Sequence, residues 1–264
     1  GDDAIDTDQG YIGRIQYAYV VLDETSNHGA EMDGPNNDAT SVALRSFPQV
    51  YNAHFIGHIN NDPNPVSSDD NTAAVMRLRE GTGGMFGNIV VANVATDGVL
   101  FSKCGGAGFT QNPSDVTPIN RDLLFWSANN VVFTTGSANQ FRFDDCANGA
   151  SAITQSANFN PSLLLQSASP GPTDTFVDPR PTSDSDLFAS ADTPPNDGFF
   201  DAVTFRGAFG TSNWLAGLSW LDDNARTPRN VDGGVIKCGT ISASETWSGA
   251  ILMTCQVFVQ SPAV

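Results

Sequence analysis

The sequence predicts an all-β solenoid, in which short parallel strands wind in successive coils around one apolar column. Three observations carry this. Apolar residues alternate over short runs and do not recur at the 3.6-residue spacing of a helix. Gly, Asn, Asp and Pro punctuate the chain throughout. A long strand-like run also recurs: Ile15, Val50 and Met85 open three runs of equal length, 35 residues apart each time. Such a period belongs to a structure that stacks one supersecondary unit on the next. The competing reading is a β-sandwich with coincidental spacing.

Taken in order, residues 4–8 form a short strand with Ile5 and Thr7 on one face and Asp6 and Asp8 on the other. The first long run follows at 15–21. Residues 30–33 form the next short strand, with Met32 turned in and Glu31 and Asp33 turned out. A further short strand at 42–45 precedes the long run at 50–56. Residues 75–79 precede the third long run at 85–91, and 99–101 precede a looser fourth copy at 124–133. Residues 141–143 form the last short strand. One coil is therefore a short strand, a turn, a longer strand and a variable loop, and it buries its inward residues only by stacking on the next coil. Residues 159–196 read as loop, because prolines from Pro161 to Pro195 break any continuous ladder. A long loop counts against a compact domain, but a solenoid offers it a flank to lie on.

Composition narrows the function. The 264 residues are 40% hydrophobic, enough for one elongated domain or two compact ones. Asp+Glu number 29 against 12 Lys+Arg, a net charge of -17. Nucleic acid needs clustered Lys and Arg that this chain lacks, and an anionic membrane would repel it. An acidic surface suits multivalent cations or neutral glycans, and solubility alone also explains it. No apolar run is long enough for membrane insertion. The four cysteines Cys104, Cys146, Cys238 and Cys255 form no Cys-x-x-Cys pair and lie away from the histidines, so two disulfides are expected. Proximity favours Cys104–Cys146 and Cys238–Cys255, though three pairings are open. Disulfides imply an oxidising setting, hence a secreted, extracellular or cell-surface protein. The chain opens on Gly1, Asp2 and Asp3 without an initiator Met, as a processed portion of a longer polypeptide would.

Residues 1–11 (GDDAIDTDQGY), 27–33 (NHGAEMD) and 77–84 (RLREGTGG) resemble the right-handed parallel β-helix repeat proteins secreted by marine bacteria and microalgae. So do 197–210 (DGFFDAVTFRGAFG) and 213–217 (NWLAG). The resemblance spans roughly residues 1–220. It implies a right-handed parallel β-helix with a closing loop segment and a C-terminal strand pair. Residues 1–158 would be coils and 159–230 a Pro/Gly/Asp-rich closing segment packed along them, with 178–181 running extended on the outside. Residues 231–264 would be a strand pair stapled by Cys238 and Cys255. That tail is similar to the way such helices begin, which implies tandem units in one polypeptide or a strand pair that docks on a neighbouring subunit. A plain hairpin is the other reading. The resemblance implies no particular chemistry.

The candidate metal set is Asp6, Asp8, Glu31 and Asp33. Stacked strands lie about 4.8 Å apart, so Asp6 over Glu31 and Asp8 over Asp33 would set like charges opposite one another. Calcium, with six to eight oxygen ligands, is one remedy, and Asp2, Asp3 and Gly10 could add to its shell. The other remedy is a ladder with Arg45, Arg77 and Arg79 at matching outward positions. Two same-face histidines could hold a transition metal, but His54 and His58, four apart on a strand, stand about 13 Å apart. That is too far for one ion, so they read as surface or groove residues. Trp126, Trp214, Trp220 and Trp247 would stack on sugars if exposed and pack the core if not.

No catalytic residues are assigned. β-Helix lyases need a calcium-binding carboxylate cluster with a Lys or Arg poised to take a proton, and β-helix hydrolases need paired carboxylates. Neither signature is distinct from the ladder, and no nucleophile elbow, P-loop or dinucleotide fingerprint occurs. The expected function is a non-catalytic structural or adhesive module of a cell-surface, matrix or filament protein. Its expected partners are head-to-tail copies or neighbouring β-helix units. A polysaccharide lyase or a carbohydrate-binding module is the alternative.

Overall fold

In the computed structural model, residues 3–23, 25–35, 43–58, 74–104, 124–144, 146, 153, 156–165, 177–228, 235–242 and 251–259 are described. The coils contribute β1 (Ile5–Thr7), β2 (Arg14–Gln16), β3 (Tyr19–Val21), β4 (Ala30–Asp33), β5 (Gln49–Ile56) and β6 (Ala74–Arg79). They continue through β7 (Gly84–Ala92), β8 (Asp97–Ser102), β9 (Leu124–Trp126), β10 (Val131–Val132) and β11 (Asn139–Asp144). Beyond them lie β12 (Leu163–Leu165), β13 (Asp178–Pro181), α1 (Trp220–Asp223), β14 (Val235–Ile241) and β15 (Ile251–Val259). Among the described residues, helix is confined to α1 and a 3-10 turn at Asp186–Phe188.

Two parallel sheets share the strands of the coils. Sheet A runs β1-β4-β6-β8-β11 and sheet B runs β10-β7-β5-β2, with β3 also on β5 and β9 also on β7. The inward residues stack in columns through the register. Ile5, Ala30, Met76, Val99 and Phe141 form one, and Thr7, Met32, Leu78, Phe101 and Phe143 the next. From sheet B come Ile15, Val50, Phe86 and Trp126, then Val20, Phe55, Val91 and Val132. Apart from Thr7, these columns belong to one apolar cluster. Each fully buried apolar side chain in it contributes about 1.5–3 kcal/mol. Cys104 and Cys146 are bonded, joining the chain just past β8 to the chain just past β11.

A corner bends sheet B. Tyr17, Asn52 and Asn88 lie one above the other in register and all have left-handed φ, 62°, 53° and 56°. Asn tolerates that conformation because its short carboxamide bonds locally. Here the Asn52 carboxamide accepts from Gln16 Nε2 at 3.1 Å and donates to Phe205 O at 2.9 Å. The corner also corrects the repeat. The first offset is 35 residues, with Ile15 beside Val50, but Val50 pairs with Phe86 rather than Met85. Stacking Asn52 on Asn88 sets the second offset at 36, and a one-residue slip would turn every side chain to the wrong face.

Other expectations change as well. In the strand expected over 42–45, Ala43 and Leu44 form a turn and Arg45 lies outside the strands, while residue 42 is outside the described residues. The fourth long run divides into β9 and β10 around the Ser127–Asn130 turn. Within the expected loop, β12 and β13 form a short antiparallel pair. The terminal strands β14 and β15 pair in parallel, which a hairpin cannot do.

Candidate functional site

Alternation on β4 and β6 places their charged residues on the outer face of sheet A, in register: Glu31 beside Arg77 and Asp33 beside Arg79. The Arg77 Nη1 donates to Glu31 Oε1 at 3.0 Å, and its Nε donates to Ser102 Oγ at 3.0 Å on the next strand. Arg79 Nε donates to Asp33 Oδ2 at 2.7 Å, and its Nη1 lies 3.4 Å from Glu31 Oε1. The face is not open to water: Glu31, Asp33, Arg77 and Ser102 are all buried.

Burial governs the electrostatics. Glu31 is pushed up to about 7, first by burial and then by the Asp33 and Asp3 charges, against the pull of Arg79 and Arg77. Asp33 is raised by burial and by Glu80 and Asp8, against its bonds to Arg79. Burial lowers Arg77 despite Glu31, whereas the Asp33 bond raises Arg79 above the usual guanidinium range in spite of burial. Further along the sheet, Arg142 reaches Asp144 at 2.6 Å and Asp97 at 3.5 Å near the surface.

Of the four candidate metal ligands, Asp6 lies opposite Glu31 and is exposed. Asp8, also exposed, approaches Asp33 and Glu80, one carboxylate oxygen of each lying within 4.8 Å of the others. Asp3, His28 and Glu31 form a second such group, in which the His28 backbone N–H donates to Asp3 Oδ1 at 2.8 Å. Asp2 lies outside the described residues. Arg45 is buried but lies outside the strands, just after the turn at Ala43 and Leu44. Glu80 was not singled out by sequence. Its signal is its place directly after β6, where it adopts a left-handed φ of 55°.

The histidines are not surface residues. His28, His54 and His58 are all buried. Over His54 lies the segment 185–228, which covers the outer face of sheet B. Ala208 N–H donates to His54 Nδ1 at 2.9 Å, and Phe209 stacks on the ring at 5.9 Å. Burial alone pushes His54 down to about 3. The same segment reaches the corner at Asn88, whose Nδ2 donates to Asp192 O at 2.9 Å and whose Oδ1 accepts from Asp192 N–H at 2.7 Å. It also meets the first coil, where Arg14 pairs with Asp197 at 2.8 Å.

Between this segment and the corner lies an apolar cleft of about 460 Å³ lined by Tyr17, Phe205, Trp214 and Leu218 among others. Trp214 stacks on Phe209 at 4.9 Å and gives its indole N–H to Ala208 O. Trp126 is in the core, Trp220 is 61% exposed, and Trp247 lies outside the described residues. The side chains of Cys238 and Cys255 also lie outside them, although the two residues sit on the paired strands β14 and β15.

Across the strands, Arg77 thus pairs with Glu31 and Arg79 with Asp33. No helix among the described residues is long and apolar enough to cross a membrane. Neither a curated protein nor a solved structure matches the chain. Residues 1–160 match the family model of the pectate-lyase-like β-helix domain. With more than half of its 264 residues matched, and with parallel sheets sharing one core, the chain belongs to that β-helix family.

Proposed function

We propose that this chain is a secreted structural or adhesive module, a right-handed solenoid that assembles head to tail at a cell surface, in a matrix or in a filament. The observation that carries this reading is the ladder. Arg77 and Arg79, two of the cations on the outer face, are turned onto Glu31 and Asp33. A guanidinium held in this way reinforces the coil and is not presented to a substrate. The coils would occupy 1–158, a closing segment 159–230, and a further strand pair 231–264.

The assembly argument rests on the sheet ends. Among the described residues, β1 and β11 are the terminal strands of sheet A. The outer edge of each parallel terminal strand offers backbone groups for strand addition. Two different, complementary ends on one unit give a heterologous contact, which builds rings or filaments. Sedimentation velocity over a range of concentrations tests this. Species growing in steps of one chain are expected, and a discrete monomer at every concentration would contradict the assembly.

The second reading is a polyuronate lyase. It is favoured by the family's description and by the burial that lowers Arg77, since a lyase needs a basic residue able to take a proton. Formation of unsaturated product from a polyuronate would place it first.

A further inference from the structure

We propose that the turns leaving sheet A hold one calcium ion between Asp8, Asp33 and Glu80. The three residues come from successive coils, and one carboxylate oxygen of each lies within 4.8 Å of the others. An ion bound at the usual 2.3–2.6 Å places opposing oxygen ligands roughly 5 Å apart. The donors are all oxygen, which selects a hard cation.

A second observation is independent of the clustering. Asp33 and Glu80 are 3% and 6% exposed. Asp33 Oδ1 and Glu80 Oε2 are both buried with no hydrogen-bond donor. Buried anionic oxygens need a partner. Arg79 does not supply it, because it binds Asp33 through Oδ2 and stands 3.9 Å from Glu80 Oε1. Burial of Asp33 and Glu80 favours calcium over magnesium, which keeps several of its waters.

The backbone holds the ligands in place. Gln9 N–H donates to Asp8 Oδ1 at 2.7 Å, and Glu80 N–H donates to Ser102 O at 3.1 Å. Gly34 lets the turns meet, since a Cβ there would stand 2.0 Å from Glu80 O.

This site goes beyond the structural reading and does not depend on it, because a buried ion would stiffen a rod or an enzyme alike. The test is calorimetric titration of the chelator-stripped 264-residue chain with calcium chloride, with thermal melts in calcium and in chelator. One site per chain and a Tm several degrees higher in calcium are expected. Glu80→Gln should weaken the affinity about tenfold or more. Asp8→Asn, at an exposed position, should weaken it while leaving the chelator Tm unchanged, and it decides the matter if Glu80→Gln does not fold. Asp6→Asn should bind as the parent does. Absence of calcium heat with equal melts, or an Asp6→Asn loss as large as that of Asp8→Asn, would overturn the proposal.

Discussion

At Arg77 the guanidinium meets Glu31 on the preceding strand and Ser102 on the following one, with all three side chains out of water. Removing one member of a buried pair leaves the other charge uncompensated, which usually costs about 3–5 kcal/mol. Arg77→Met should fall at about 3 kcal/mol, the low end of that range, because Glu31, already raised to about 7, escapes by taking up a proton. The double variant Arg77→Met with Glu31→Leu should recover most of the loss, and denaturant unfolding of the four proteins measures the coupling. His54 gives a pH prediction. Its native pKa of about 3 lies below the ordinary 6.5, so the unfolded chain binds the proton first. The stability of the neutral buried ring is therefore complete above about pH 6.5 and is lost as pH falls toward 3, on the order of 5 kcal/mol in all. His54→Asn keeps an acceptor for Ala208 N–H but has no proton to gain. Its unfolding free energy should fall less steeply than the parent's between those pH values. The opposing carboxylates at Asp6, Glu31 and Asp33 were legible from strand alternation alone. The burial of His54 was not, because its cover arrives 154 residues later in the chain.

Among elements, the segment over sheet B is fastened at its closest approach by Gly207. Its φ is 82°, and a Cβ there would stand 2.4 Å from His54 Cε1. Gly207→Ala should therefore lift the 185–228 segment while the apolar columns stay intact. Limited proteolysis should show faster cutting within that segment, with the coils surviving as the resistant fragment. Cutting spread evenly through the coils would contradict the division. The alternation of β1, β4 and β6 and the position of the long runs could be read directly, since each strand needs only its own residues. The register of β7 could not, because Asn52 and Asn88 act as corners rather than strand residues, and a hydrophobic alignment passes over them. The same blindness merged β9 with β10 across Ser127–Asn130.

For the molecule as a whole, repetition explains both what the sequence discloses and what it withholds. One core runs through both sheets, from Ile5 and Ile15 in the first coil to Phe143 and Val132 in the last, so period and face follow from pattern alone. Glu80 belongs to a turn, where no period applies, and its role emerges only when three turns stack. The charge of -17 is concentrated in part on this face, yet the two arginines there are already engaged. The central claim is that these arginines hold the coils together and are not spent on turnover. Incubating the chain with polyuronates in calcium, and following the absorbance of unsaturated uronide products, tests it most directly. No product is predicted above the rate without protein, whereas product that disappears in Arg77→Lys would contradict the account.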